Sequence, residues 1–390
     1  MTQTSETAQH GLSEHSHGFG VPLQIRSDRK RSENPADFDT PNQREEQWRY
    51  LPIERLGELT QDVLDEFSGD IELKAPDQVT TAWVGAEHPS FGAAGLPEDR
   101  ISATAWASAK AAYLVKLPSQ EIEEEVRITL NSSDRAASAL HMIIETSVHS
   151  KGTVVIDHRG DAVLAENLEI IVADESNLTV VSIQDWNDGS IHLGSHFASL
   201  GRNAKLKHIV ITLGGDTVRI TPAVHYAAPG GDAELLGMYF ADSGQHLEHR
   251  PYIDHSQPDC RSRVTYKGAL QGSKAHTVWV GDVLIRKEAE GTDTYELNRN
   301  LLLTDGARAD SVPNLEIETG KINGAGHASA SGRFDDEQLF YLQARGISEA
   351  SARRLVVFGF LNDIVQQIGV AEVQERLTQA IEEELSRSVN

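Results

Sequence analysis

The chain has 390 residues, 35 basic and 59 acidic, for a formal net charge of −24. This acidic excess argues against a surface for nucleic acid or anionic membrane, because phosphate contacts need a positive field. One cysteine excludes an internal disulfide framework and a self-contained four-thiolate metal site, the usage expected in a reducing compartment.

Residues 1–40 read as a polar tail, rich in Ser, Asn, Asp and Pro, with a basic cluster at Arg26, Arg29, Lys30 and Arg31. Its His10, His15 and His17 are not expected to form a metal site, since nothing nearby fixes their geometry. The first residues lack the basic start and apolar stretch of a secretory signal, so a cytoplasmic location is expected. Residues 41–120 read as a mixed, partly helical region. Trp48, Leu51, Leu56, Leu59 and Leu64 fall at helical spacings broken by Pro52, and ISATAWASAKAAYLVKL is compatible with a small-residue helix.

Over 121–333 the texture changes. Segments such as VRITL, TVVIDHR, LEIIVAD, LTVVSIQDW, KLKHIVITLGG and HTVWVGDVLI alternate apolar and polar residues and end at Gly, Asn, Asp or Ser. No helical segment separates most of them, which argues against a doubly wound α/β sheet. A sandwich, a barrel and a solenoid remain, and the length of the strand-rich stretch suits a β-helix, although no strict repeat is visible. Residues 334–390 return to helix. Asp335 and Ser348 are candidate N-caps, Gly346 and Gly369 are stops, and Val373, Leu377, Ile381 and Leu385 form one stripe. These helices either dock a partner or cover the open end of the β core. The most apolar run, Leu355–Leu361, is far short of the ~20 residues needed to cross a membrane.

The chemistry of an autonomous enzyme is missing. GALQGSK at 268–274 has three residues between its glycines where a P-loop has four, and HExxH, GxSxG, CxxC and GxGxxG are absent. Two candidate sites remain. His246, His249, His255 and Cys260 have borderline-soft donors, but their spacing matches no standard finger and alternate strand facing would point several apart. His327 lies in GAGHASASGR, where small neighbours leave space at the imidazole for a ligand or cluster to approach, though a plain loop histidine fits the same residues.

The stretch from Ser311 to Val365 resembles the C-terminal signature of the SufB/SufD family of iron–sulfur cluster assembly proteins. The matching residues are Pro313, Leu315, Glu316, Ile317, His327, Gly332, Leu339 to Leu342 and Arg345 to Ile347. IDHSQPDCRSRVTYKG and NQREEQWRYLPI are also similar to family segments, so the likeness runs from about residue 43 to 370. Ala328 stands where SufB members carry Glu, which makes the chain more like SufD; Ala325 stands where some SufD members carry Cys. The resemblance implies a right-handed parallel β-helix core flanked by helical N- and C-terminal regions. It also implies a non-catalytic scaffold subunit that pairs with a SufB-like paralogue, supports iron acquisition and docks the ATPase SufC through its C-terminal helices. His327 would then ligate a transient iron–sulfur cluster at the subunit interface, with reduced flavin possible in the complex and Cys260 a weaker metal candidate. A homodimer of the isolated chain is a further expectation. The competing readings are a β-helix enzyme acting on polysaccharide and a homodimeric metal-binding protein using the His246–Cys260 segment.

Overall fold

The computed structural model describes residues 29–333 and 336–387. His10, His15, His17 and the proposed cap Asp335 lie outside the described residues. In chain order the elements begin with β1 (Asp65–Glu66), β2 (Asp70–Lys74), β3 (Thr80–Val84), α1 (Arg100–Ser108) and β4 (Ala112–Leu117). The long strands β5 (Val126–Thr146) and β6 (Lys151–Val172) follow, then β7 (Asn177–Trp186), β8 (Ile191–Leu200), β9 (Lys205–Thr212), β10 (Thr217–Tyr226) and β11 (Asp232–Ala241). Next come β12 (His246–His249), β13 (Tyr252–His255), β14 (Arg261–Leu270), β15 (His276–Ile285), β16 (Asp293–Leu302), β17 (Arg308–Ile317) and β18 (Gly324–Arg333). Three helices close the chain, α2 (Asp336–Ala344), α3 (Glu349–Val365) and α4 (Ala371–Arg387).

From β5 onward all pairing is parallel between successive turns, so the chain coils into a parallel β-solenoid of about 8 turns. A first sheet stacks the leading halves of β5 and β6, then β7, β9, β11, β14, β16 and β18. A second stacks β4, the trailing halves of β5 and β6, then β8, β10, β12 with β13, β15 and β17. Lys151, Asn177, Lys205, Asp232, Arg261, Asp293 and Gly324 stand in register, so a turn takes roughly 30 residues. The turn length drifts along the chain, which is why no strict sequence repeat is seen.

Alternation decides what each strand buries. Along β7, Leu178, Val180 and Trp186 enter the core between the sheets, while Val181 and Ile183 face outward. Both outer faces are covered. Val357, Leu361, Ile364 and Val365 of α3, with Val373, Leu377 and Ile381 of α4, pack on Val181, Ile209, Ile211, Met238 and Phe240 of the first sheet. α3 and α4 therefore lie along a flat face and not over the open end. The N-terminal region covers the second sheet: Trp48, Leu51, Leu56 and Leu59, all fully buried, pack with Ile101 against Ala137, Ala139, Ala165 and Leu193.

Local expectations meet the structure unevenly. Pro52 and Gly57, the latter at φ +52°, break 42–60 into 3-10 turns where the spacing predicts one or two short amphipathic helices. The segment from Ile101 divides into α1, capped by Asp99 accepting from the Ser102 amide (2.9 Å), and strand β4. Residues 29–40, expected to belong to the polar tail, instead pack on the solenoid. Arg29 pairs with Glu98 (2.9 Å) and Asp282 (2.6 Å) and lies over the Tyr252 ring, while Asn34 caps the Pro35–Asp37 turn. Arg29 and Arg31 find carboxylates that only the coiled chain brings near. Ser348 caps α3 through the Ser351 amide, and Gly346 and Gly369 take positive φ after α2 and α3. No helix among the described residues is long and apolar enough to cross a membrane.

Candidate functional site

The last turn of the solenoid is its uncovered end. β17 pairs only with β15 and β18 only with β16, so each presents an outer edge of backbone donors and acceptors with no strand beyond it among the described residues. Exposure follows: β9 and β11 are buried along nearly their whole length, β17 is half-buried and β18 is largely exposed. The residues of the C-terminal family-like motif lie on the last strands and the helix after them. Pro313, Leu315, Glu316 and Ile317 are on β17, His327 and Gly332 on β18, and Leu339 to Leu342 on α2, where Phe340 and Tyr341 are exposed.

His327 is exposed and stands in register with Glu296 of β16. Parallel neighbours in register share a face, so His327 sits over the end of the core into which Glu296 projects. Glu296 is only 1% exposed, and neither carboxylate oxygen has a hydrogen-bond partner. Burial, reinforced by the charge of Asp282, pushes its pKa up to about 8, so it is mostly a neutral acid near pH 7. Beside it the interior is polar and connected. Ser311 donates to Asn298 Oδ1 (2.8 Å), Asn300 donates to the same oxygen (2.8 Å) and to Ser331 Oγ (3.3 Å), and the Tyr239 hydroxyl donates to Asn300 Oδ1 (2.7 Å). The end of the solenoid thus offers an accessible imidazole, a neutral buried carboxyl and two free strand edges.

The other candidate segment does not assemble. His246 faces outward on β12, 3.1 Å from His276 Nδ1 and 3.3 Å from Glu248. His249 points into the core, bonded to Thr212 (2.9 Å) and stacked on Tyr239. His255, also internal, bonds Ser262 (2.9 Å) and stacks on Tyr226, and burial holds its pKa down at about 3. Cys260 is buried at a corner, with Sγ facing the carbonyls of Pro258 (3.5 Å) and Ala228 (3.8 Å), and burial raises its thiol pKa. The single-site reading of these four fails because alternate facing sends His246 out and His249 in, and Cys260 is not on a strand. Among the described residues one group of three metal-capable side chains converges, His158, Glu166 and His192, and all three are buried. Sequence reading missed it and Glu296, because both need the turn register.

The solenoid is covered on both faces, and its accessible imidazole lies at the one bare end. Comparison with known proteins specifies the family. The family model described as SUF system FeS cluster assembly, SufBD core domain, matches residues 128–360. An iron–sulfur cluster assembly SufBD family protein of Mycobacterium tuberculosis is 52% identical over 358 residues, 89% of this chain and 90% of its own. One from Mycobacterium leprae is 51% identical over 359 residues, covering 90% and 91%. The iron–sulfur cluster assembly protein SufD of Bacillus subtilis is 27% identical over 281 residues, 70% of this chain and 63% of its own. The chain belongs to the SufB/SufD family of iron–sulfur cluster assembly proteins.

Proposed function

We propose that this chain is the SufD-like subunit of an iron–sulfur cluster assembly scaffold, pairing through its bare end with a SufB-like paralogue. The observation that carries this reading is His327, exposed on the outermost strand β18 between two unpaired edges. Ala328 after the histidine, where SufB-like chains have Glu, and the likeness to the Bacillus subtilis SufD favour the SufD side.

In this account the edges of β17 and β18 pair with the partner's strands, and the cluster is cargo formed between the chains. The His327 imidazole ligates it from this side opposite a partner thiolate. Imidazole holds iron more loosely than thiolate, which suits a cluster that must leave. Glu296 lies behind His327 as a neutral acid, adding no negative charge to a site that must hold anionic sulfide. The chain itself is non-catalytic: SufC hydrolyses ATP, docking on the C-terminal helices, where Phe340, Tyr341 and Leu355 are exposed (72%, 56% and 53%). ATP-driven dimerisation of SufC would pull these helices and open the junction, and the assembled complex would acquire iron and use reduced flavin.

The test is co-expression of this chain with its paralogue and ATPase, followed by anaerobic reconstitution. The wild-type complex should gain iron–sulfur absorbance, and His327→Ala should form the same complex without it. Equal cluster yield from both complexes would remove His327 from the mechanism.

A further inference from the structure

Far from the open end, the solenoid interior contains a second constellation. His158 on the leading half of β6, Glu166 on its trailing half and His192 on β8 all point between the sheets and are fully buried. Glu166 Oε2 lies 3.2 Å from His158 Nε2 and 3.0 Å from His192 Nε2, and all three atoms are within 4.8 Å of one another. The two distances from Glu166 are close to the roughly 3.3 Å edge of a tetrahedron built on metal–nitrogen bonds of about 2.0–2.1 Å.

Two further features point to a ligand. The Nδ1 of His158 is 2.9 Å from the Ile183 carbonyl, the kind of outer hydrogen bond that holds Nε2 of a ligating imidazole toward a metal. Glu166 Oε1 and His196 Nε2 are buried without partners. Residue 194 is glycine, and a Cβ there would lie 2.9 Å from Ile220 Cδ1 and 3.3 Å from Nε2 of both His192 and His196, so only a bare Cα lets these imidazoles pack here. On its far side His196 Nδ1 is 3.0 Å from His208 Nε2. One contact must yield: Trp186 Nε1–H donates to His192 Nδ1 at 3.3 Å, and ligation through Nε2 moves the His192 proton to Nδ1. A carboxylate shut away from water requires a positive charge against it, and a divalent ion supplies more than a single imidazolium.

We infer that His158, Glu166 and His192 form an internal binding site for one divalent first-row transition ion, zinc or ferrous iron. Two imidazoles and a carboxylate suit either ion, and no thiolate takes part. The site is independent of His327 and of the cluster-scaffold reading. Because every ligand is buried, the ion enters as the turns fold and leaves slowly.

The experiment is metal analysis of the full chain expressed in medium supplemented with zinc or with iron, the latter purified anaerobically, after prolonged EDTA treatment of the folded protein. The wild type and His327→Ala should each retain about one ion per chain, released on unfolding, and Glu166→Gln should retain less than a tenth of that. Absorption fine structure at the metal edge of the wild type should show nitrogen and oxygen neighbours at about 2.0–2.2 Å without sulfur, which decides the matter even if Glu166→Gln misfolds. A metal-free wild type in both media, undiminished metal in a folded Glu166→Gln variant, or a sulfur shell would each overturn the site.

Discussion

At the scale of single residues, the terminal turn contains one group held at a cost and one held ready. Glu296 is the first. Its pKa stands at about 8 in the folded chain against about 4.5 when exposed, so between those values the folded state binds more protons than the unfolded state. Stability must therefore fall as pH rises from about 5 to about 8, and the loss is complete above the folded pKa. Glu296→Gln keeps the shape without the ionisation. It should unfold at a higher temperature than wild type at pH 8.5, and the gap should narrow steadily toward pH 5; a constant gap would mean that Glu296 is not held neutral. His327 is the second. Exposed and bearing no core contacts, it should be replaceable by Ala within about 0.5 kcal/mol of wild-type stability, as judged by urea denaturation. The same substitution should abolish cluster formation by the complex.

At the scale of elements, the C-terminal helices are held by a greasy stripe and by a charged pin. Arg376 of α4 reaches Asp157, whose side chain is fully buried, with a 2.8 Å bond to Oδ1, and also Asp185 (2.9 Å). Although burial opposes it, bonding from Arg376 and Arg159 holds the Asp157 carboxyl below the usual range. Its contribution is thus present above pH ~4 and lost as pH falls through the lowered value. Arg376→Ala leaves Asp157 with Arg159 alone and should cost about 1–3 kcal/mol. Limited proteolysis should then cut near Gly369 sooner than in wild type, while the solenoid fragment persists; an unchanged cleavage rate would show that the stripe alone holds α4.

These elements also mark how far the sequence can be read. Strands such as β7 and β9 declare themselves, because Val181 and Ile183 face the helices while Val180 and Leu178 face the core, so apolar residues recur on both faces within Gly- and Asn-bounded runs. His327 is legible through its surrounding motif. Glu296 is not, since nothing local distinguishes it among 59 acidic residues; its burial and lack of partners come from the turns above and below it. His158, Glu166 and His192 are hidden for a related reason. They meet only when β6 bends between its halves and β8 stacks on it, and the drifting turn length conceals that register. Arg29 was assigned to a tail because its partner Asp282 is 253 positions away.

At the scale of the whole molecule, two covered faces and one bare end specify where other chains can join. The N-terminal region occupies the second sheet and α3 with α4 occupy the first; in the proposed function β17 and β18 pair with the paralogue and the exposed side chains of α2 and α3 meet the ATPase. These surfaces are separate, so they should fail separately. Phe340→Asp with Leu355→Asp should release the ATPase and leave the pairing of the two solenoids intact, which pull-down of the tagged chain would read directly. Simultaneous loss of both partners would mean that the two surfaces are not independent.

The most direct measurement of the central claim is native mass spectrometry of the tagged chain purified anaerobically from its own cells at low salt. The account predicts a complex containing one SufB-like paralogue and P-loop ATPase subunits, with iron and sulfide present and lost in the His327→Ala version while the protein masses are unchanged. A lone chain or a homodimer, persisting when ATP is added, would contradict it.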